Sequence, residues 1–297
     1  MSISRRSVKQ RRNTYLRNIY RDLKNNSIGY DHVAGIIPVS NLLFDYEFPW
    51  HGCMMPIGDG KYLIDRSITE CLAAGAKNIW IVADEDIQPF IRKHVGEKTK
   101  NGVKIFYISF KPEDYISKRA GSLNWTIISG MFEARKLTRP VGEALGPAYF
   151  YVSFPNVVHN YPTKIVLGKE SNFIFETKDG KSIYDNQLLG CGFDVQSMGR
   201  FWNYVFGEAQ KPIEEQTLED MLKVRKKEFA IFEKVRYYYD VSTWEGYTAF
   251  IGSGDDLKDV MSNENWENIT HEEDWTEPPK RNKNKYVKKW KVKDDSK

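Results

Sequence analysis

Residues 54–83 read MMPIGDGKYLIDRSITECLAAGAKNIWIVA, a turn-rich opening followed by two regular patterns. Over about 66–74 the apolar residues recur at helical spacing, and Gly75 is of the residue type that ends helices. The run NIWIVA (78–83) is continuously apolar, as in a strand that is buried on both faces. This stretch predicts a helix and then a buried strand, and it raises the question of what the Gly-Asp-Gly opening does.

The same alternation continues on both sides of this stretch. Apolar runs predict further strands at 33–39, 103–109 and 147–154, and helical spacing predicts helices at 87–95 and 121–137. Strands separated by helices favour a mostly parallel sheet with helices on both faces. The fold class is therefore α/β, and ligands are expected beyond the carboxyl ends of the strands.

The second half of the chain is richer in strands. The segments KIVLG (164–168), NFIFETKDGKSIYD (172–185) and LLGCGFDV (188–195), with a turn at Asp179-Gly180, predict a strand-rich region. The remaining expected elements are helices at about 197–207, 215–235 and 243–251, and a strand at 234–242.

Positive charge is concentrated at the two ends of the chain. The net charge is +4, but residues 1–26 carry eight Lys or Arg and one acid, and residues 280–297 carry nine and two. The part between them is therefore acidic, with a net charge of about −10. We divide the chain into a basic arm (1–32), an α/β domain (33–254), an acidic linker (255–279) and a basic tail (280–297).

Two interpretations of the basic ends remain open. Clustered Lys and Arg attract nucleic acid whatever its sequence, and Tyr286 and Trp290 in the tail could stack on bases. Alternatively, the ends are solubilising tails, or they fold back onto the acidic stretch 273–279. Nucleic acid is therefore one expected partner.

Several classes of protein are disfavoured by the sequence. No apolar run approaches the roughly 18 residues of a membrane span, and the N-terminus lacks the apolar core of a secretory signal. The scattered Cys53, Cys71 and Cys191 fit reduced thiols, so we expect a cytoplasmic protein, in the host cytoplasm if it is phage-encoded. The common motifs of serine hydrolases, zinc proteases, P-loop enzymes and dinucleotide-binding domains are missing.

Three loop segments could hold a ligand. The segment Pro-Trp-His-Gly-Cys before the first helix either closes the core or approaches a ligand, with His51 and the Gly52 backbone as first candidates. The acidic run 84–86 could bind a metal ion or sugar hydroxyls, or only begin the next helix, where the helix dipole favours acids. The segment 118–122 could bind a phosphate at a helix start, or Ser122 could cap that helix.

These elements resemble a sugar-1-phosphate nucleotidyltransferase. The strand VAGIIPV (33–39), a long loop ending in Pro-Ile-Gly, a helix ending in Ala-Gly and the Ile-Trp-Ile-Val strand resemble the start of that family. RAGSLNWTI (119–127) is similar to the helix start that faces the nucleotide base, and YYYDVSTWEGYTAFI (237–251) resembles a late Asp-Val segment. The resemblance spans about 33–251 and implies a nucleotidyltransferase fold, close to that of GT-A glycosyltransferases.

The resemblance implies a set of site residues. Asp240 would bind Mg²⁺ together with Asn156, which follows the fourth strand where the family has its other metal-binding Asp. Lys178 would contact the sugar phosphate as a catalytic residue, and His51 stands near the position of the family's catalytic Lys. The implied nucleotide-binding residues are Gly35, Pro38, Gly52, Arg119, Gly121 and Ser122.

The sequence departs from the family pattern in its phosphate-binding residues. The loop after the first strand reads IPVSNLLFDYEF (37–48), without the family's Gly-rich, Arg-containing triphosphate loop. No Lys lies at His51 or Gly52, and Asn156 lacks the charge that makes Asp a better Mg²⁺ ligand.

Three functions are compatible with this pattern. The first is nucleotidyl transfer from an NTP to a sugar 1-phosphate, which gives a nucleotide sugar. The second is transfer of sugar from a nucleotide sugar to a large acceptor such as phage DNA, which needs no triphosphate loop and suits the basic ends. The third is a catalytically inactive module. In each case we expect a nucleotide or nucleotide sugar as ligand.

Overall fold

A computed structural model describes residues 33–46, 51–110, 121–138, 147, 149–160, 172–208, 212, 216–223 and 230–255. The basic arm, the basic tail and all but the first residue of the acidic linker lie outside these described residues. Their predicted roles therefore stay predictions.

The described chain contains eleven strands, seven of which form one central sheet. The strands are β1 (Val33–Pro38), β2 (Pro56–Gly58), β3 (Lys61–Tyr62), β4 (Ala76–Asp84), β5 (Lys104–Phe110), β6 (Tyr149–Val152), β7 (Val157–His159), β8 (Phe173–Glu176), β9 (Cys191–Asp194), β10 (Ala230–Lys234) and β11 (Tyr238–Asp240).

The central sheet has the spatial order β5-β4-β1-β6-β9-β8-β10. β1 pairs in parallel with both β4 and β6, β4 pairs in parallel with β5, and β8 with β10. β9 runs antiparallel to both of its neighbours, β6 and β8. The predicted mostly parallel sheet is confirmed. Because the chain adds strands first on one side of β1 and then on the other, the order reverses between β1 and β6, where ligands of such sheets bind.

Six α-helices of the described chain accompany the sheet and cover both of its faces. They are α1 (Leu63–Ala73), α2 (Gln88–Val95), α3 (Leu123–Thr138), α4 (Val195–Glu208), α5 (Leu218–Lys223) and α6 (Trp244–Ser253). Successive residues of a strand point to opposite faces, so Ile36 and Trp80 join the core under α3, α4 and α5, whereas Ile37 and Ile81 join the core under α1 and α2. In the described ranges, no helix is long and apolar enough to cross a membrane.

The Gly-Asp-Gly opening forms a tight hairpin between β2 and β3. Asp59 and Gly60 both have positive φ, 49° and 70°, as a two-residue hairpin turn requires. Met55, immediately before this hairpin, is buried in a third apolar cluster with Val158 and Val241. The segment therefore closes a core between α1, the β7–β11 pair and α6.

Two predicted elements differ from the observed ones. The helix expected over 215–235 is wrong in its second half, because α5 ends at Lys223 and residues 230–234 pair in parallel with β8 as the edge strand β10. The first helix begins at Leu63 rather than near Arg66. The carboxylate of Asp65 accepts the N–H of Tyr62 at 2.9 Å and so caps the helix one turn earlier.

Substitution by Ala is expected to have opposite effects on stability at two glycines, one packed between β9 and β8 and one on the surface of α4. A Cβ on Gly192 would clash with the buried ring of Phe173, whereas Gly199 on α4 is exposed with nothing within 4 Å of an added Cβ. We expect Gly192→Ala to lower the free energy of unfolding by about 1–3 kcal/mol. We expect Gly199→Ala to raise it by about 0.5–1 kcal/mol through helix propensity. Urea denaturation measures both, and equal effects of the two substitutions would contradict the described packing.

Candidate active site

A small two-stranded sheet beside the main one brings two oxygen-bearing residues together. β7 and β11 pair antiparallel, with Asp240 opposite Val157, the residue after Asn156. Asn156 lies in the turn that follows β6, and Asp240 is the last residue of β11. Since opposite residues on paired strands lie about 5 Å apart, the backbone of Asp240 lies close to that of Val157 and thus near that of Asn156.

The local contacts of these two side chains differ. Asn156 is 6 % exposed, and its Oδ1 has no hydrogen-bond partner among the described residues. A buried acceptor without a partner is costly, and a bound group would satisfy it. Asp240 is exposed, and its Oδ1 accepts hydrogen bonds from Ser242 N at 3.1 Å and Ser242 Oγ at 2.5 Å. These bonds orient the Asp240 carboxylate.

The pair fits a magnesium ion that is shared with a substrate. Mg²⁺ commonly takes one or two carboxylates, several waters and substrate phosphates rather than a full protein cage. The described part of the chain holds no cluster of three or more His, Cys, Asp or Glu that would form such a cage. The binding of Mg²⁺ by Asp240 and Asn156 stays a prediction.

A cleft of about 340 Å³ opens beside the same small sheet. Its lining includes Lys178, Lys181 and Arg236, all exposed, together with Tyr238. Lys181 pairs with Asp179 at 3.7 Å, while Lys178 has no ion-pair partner among the described residues. Tyr238 is the first residue of β11 and Asp240 is its last. The cleft therefore lies about 7 Å, or two residues along the strand, from Asp240. Cations around an open cleft of this size suit a phosphate group.

The backbone that follows β1 is already hydrogen-bonded. Val39 N and Ser40 N both donate to Val82 O, at 2.8 and 3.1 Å. Ser40 Oγ donates to Asp84 Oδ1 at 2.7 Å. These two N–H groups are therefore not available to a phosphate, in contrast to the open glycine-rich loops that cradle triphosphates.

Side chains already form hydrogen bonds with the backbone at the start of α3. Ser122 Oγ accepts the N–H of Trp125 at 3.3 Å, as a helix cap does. Asn41 Nδ2 donates to Ser122 O at 3.3 Å and to Thr126 Oγ1 at 2.8 Å, which fastens the loop after β1 to this helix. These contacts fit the capping interpretation of Ser122, and its contact with a nucleotide stays a prediction.

The other residues expected to bind nucleotide have varied surroundings. Gly35 lies inside β1, where a Cβ would stand 2.8 Å from α1, and a Cβ on Gly52 would clash with the phenylalanine ring of the loop after β1. Close packing is sufficient reason for glycine at both positions. Pro38 ends β1, Gly121 lies in the turn before α3, and Arg119 is outside the described residues. Their nucleotide contacts stay predictions.

His51 is half-buried at the start of the segment that closes the third core. Its Nδ1 accepts the N–H of Cys53 at 3.2 Å, and its ring packs edge-on against Phe44 at 5.3 Å. Burial lowers the pKa of His51, although the carboxylates of Asp84 and Asp86 act in the opposite direction. The imidazole is therefore neutral at neutral pH and does not replace the positive charge of a Lys.

No protein-family model matches this sequence, and no curated protein matches it significantly. Solved structures do match. A protein described as a glucose-1-phosphate thymidylyltransferase from Bacillus anthracis, in complex with sucrose, gives a TM-score of 0.53 at 12 % identity, over 75 % of this chain and 96 % of that one. A UDP-glucose pyrophosphorylase complexed with UDP-glucose gives 0.51 at 11 % identity, over 76 % and 99 %. This chain has the nucleotidyltransferase fold.

The nucleotidyltransferase fold contains here a buried charged network beneath the candidate site. Glu70 of α1 is 1 % exposed and accepts hydrogen bonds from Tyr151 OH at 2.5 Å and Ser153 Oγ at 3.0 Å. Arg66, one turn earlier, lies 3.6 Å from Glu70 and donates to His159 O. The network ties α1 to β6 and β7, whose connecting turn carries the amide proposed as a magnesium ligand.

The charge of Glu70 depends on these neighbours. Burial acts to raise the pKa of Glu70, but His159, Arg66 and Tyr151 together bring it below its ordinary value of 4.5. His159 Nε2 lies 3.2 Å from the backbone nitrogen of Gly190 and 3.3 Å from Glu70 Oε1. Glu70 is therefore an ionised group inside the core.

The sequence analysis did not identify Lys181, Arg236 or the Arg66–Glu70 pair as parts of this site. Lys181 and Arg236 were not expected to share a cleft with Lys178, although Arg236 directly precedes the Tyr-Tyr-Tyr-Asp segment that carries the family resemblance. Arg66 and Glu70 carried a usable signal, since they form an oppositely charged pair at i and i+4 on the apolar side of a helix.

The buried network predicts a pH-dependent loss of stability in Glu70→Gln. The substitution removes a buried carboxylate that pairs with Arg66, so we expect the free energy of unfolding at pH 7 to fall by about 3–5 kcal/mol. Because the folded-state pKa of Glu70 is lowered, its contribution is present above its ordinary value of 4.5 and is lost as the pH falls below that value. The difference between wild type and Glu70→Gln in urea denaturation should therefore shrink below about pH 4.5.

The matched control for this prediction is Glu97→Gln. Glu97 pairs with Arg92 at the surface, and its side chain is 69 % exposed, so we expect a change within about 0.5 kcal/mol. A difference between wild type and Glu70→Gln that stays constant from pH 7 to pH 3 would contradict an ionised Glu70.

Proposed function

We propose that this protein catalyses nucleotidyl transfer from an NTP to a sugar 1-phosphate. The observation that supports the proposal is the pairing of β7 with β11, which sets Asp240 opposite Val157, the residue after Asn156, while the cationic cleft is lined by Tyr238 of the same strand. In this reaction a phosphate oxygen of the sugar 1-phosphate attacks the α-phosphorus of the NTP. The bond from the α-phosphorus to the bridging oxygen breaks, pyrophosphate leaves and a nucleotide sugar forms.

The residues of the cleft would bind and orient the attacking phosphate. Lys178, Lys181 and Arg236 neutralise its charge, so that one of its oxygens can approach the negatively charged α-phosphate. Such chemistry needs positioning and charge neutralisation rather than a covalent intermediate. The cleft therefore supplies the kind of assistance that phosphoryl chemistry requires.

Asp240 and Asn156 would hold Mg²⁺ against the substrate phosphates. When bound, the ion supplies positive charge that stabilises the phosphate oxygens of the transition state. The carboxylate of Asp240 is pre-oriented for this role by its bonds to Ser242. The orphaned Oδ1 of Asn156 gains a partner in the same step.

A second function, glycosyl transfer from a nucleotide sugar, is favoured by a different observation. The N–H groups of Val39 and Ser40 both bond Val82 O, and the loop from 39 to 46 carries no Lys or Arg. A nucleotide sugar has no pyrophosphate leaving group for such a loop to hold. In this alternative the acceptor would be large, such as nucleic acid bound by the basic ends.

Release of pyrophosphate separates the two functions. The full-length chain is incubated with Mg²⁺, each of the four NTPs or dTTP, and a panel of sugar 1-phosphates, and pyrophosphate is measured with a coupled assay. We expect pyrophosphate release that requires both substrates. No release with any combination, together with hydrolysis or transfer of sugar from a nucleotide sugar, would favour the second function and contradict the first.

The proposal predicts a large effect of Asp240→Asn on turnover. Asn retains an acceptor for Ser242 but removes the charge that binds Mg²⁺, so we expect kcat to fall by about 100-fold or more with an unchanged melting temperature. Asp220→Asn on α5, whose side chain is 48 % exposed, is the matched control and should leave kcat within about twofold. Equal kcat values for wild type and Asp240→Asn would contradict a role for Asp240 in catalysis.

A further inference from the structure

An exposed tryptophan stands at the first residue of α6. Trp244 is 56 % exposed, although burial of an indole is strongly favourable. Its ring packs edge-on against Tyr46 at 6.0 Å and tilted against Tyr247 at 5.6 Å. These contacts hold the exposed part of the ring in one orientation.

The two supporting tyrosines are themselves anchored. Tyr46 OH donates to Val241 O at 2.8 Å, and Tyr247 OH donates to Pro56 O at 2.5 Å. Tyr46 belongs to the loop after β1, so this loop and α6 meet at Trp244. We call Tyr46, Trp244 and Tyr247 the aromatic platform.

The aromatic platform lies next to Asp240. Thr243 Oγ1 donates to Asp240 O at 3.2 Å, and a Cβ on Gly246 would clash with the same carbonyl. The first turn of α6 is therefore packed directly on Asp240. Since four residues span at most about 14 Å, the backbone of Trp244 lies within that distance of the backbone of Asp240.

We infer that the aromatic platform stacks the base of the nucleotide substrate, in place of the start of α3 (119–127) that the family resemblance implied. The inference rests on the proposed function. From β11 into α6, the chain runs from the cationic cleft to Asp240 and then to Trp244, which matches the order of sugar phosphate, metal-bound phosphate and base in a nucleotide sugar. Stacking on an aromatic ring contributes to affinity without any charge and accepts every base.

Stacking also accounts for the composition of the loop after β1. Residues 39–46 carry no Lys or Arg but include Phe44 and Tyr46, the latter in contact with Trp244. In this inference, the aromatic side chains of the loop contact the base of the nucleotide, and the loop does not bind the phosphates of the nucleotide. The platform thus provides affinity that the missing phosphate loop does not.

The test compares binding of probes with and without a base. Isothermal titration calorimetry with UDP, dTDP, ADP and GDP, and separately with glucose 1-phosphate, is carried out on wild type, Trp244→Ala and Trp244→Phe in Mg²⁺. We expect Trp244→Ala to weaken the tightest nucleoside diphosphate about 5- to 100-fold and to leave glucose 1-phosphate within about twofold. Trp244→Phe should keep the diphosphate affinity within about threefold but lose much of the fluorescence quenching that the nucleotide causes in wild type.

Phe90→Ala is the matched control, because Phe90 is an aromatic side chain on α2 that is 66 % exposed. It should change neither affinity nor quenching. Diphosphate affinity that is equal in wild type and Trp244→Ala would overturn this inference and leave the proposed function standing. Equal weakening of glucose 1-phosphate would assign the platform to the sugar and also overturn it. If wild type binds none of the diphosphates, both the inference and the proposed function fail.

Discussion

Glu70 holds a negative charge in the core between α1, the end of β6 and β7. It accepts the hydroxyls of Tyr151 and Ser153, and Arg66 beside it donates to the carbonyl of His159. An ionised group in such a position is stable only when its partners are all present. These bonds hold the end of β6 and the end of β7 against α1. The turn between these two strands carries Asn156, so the buried network supports the backbone of the candidate site.

The loop after β1 and the Gly-Asp-Gly hairpin serve a second, apolar constraint. Met55 packs with Val158 and Val241 in the third core, and Tyr247 donates to the carbonyl of Pro56. These contacts join the hairpin to the β7–β11 pair and to α6. The segment that looked like a ligand loop in the sequence is thus mainly structural, and it supports the two strands on which the candidate ligands for Mg²⁺ lie.

The mostly parallel sheet and both layers of helices could be predicted from the sequence because the signals of the single elements are local. Apolar runs and helical spacing identify β1, β4, β5, α1 and α3 without reference to the rest of the chain. The edge strand β10 could not be predicted in the same way, since its strand form depends on pairing with β8, which lies more than 50 residues away. Tertiary pairing of this kind overrides the local preference of a segment.

The candidate site was only partly predictable. Asp240, Asn156 and Lys178 were proposed through a family resemblance. In the structure Asp240 lies opposite Val157, the residue after Asn156, and Lys178 lines the cleft, while their roles stay predictions. Arg236 and Lys181 required the folded chain, because they come from separate loops. The bonds from Val39 and Ser40 to Val82 O could not be anticipated either, since backbone amides leave no mark in the sequence.

The central claim is that substrate phosphates and Mg²⁺ bind between Asp240, Asn156 and the cationic cleft. The most direct measurement is the anomalous scattering of Mn²⁺, used in place of Mg²⁺, in crystals of the protein grown with a nucleotide sugar. The account predicts an anomalous peak within coordination distance of Asp240 and Asn156, with phosphate density that extends toward Lys178. Ligand density at the carboxyl ends of β4 and β5, with no peak at Asp240, would contradict it.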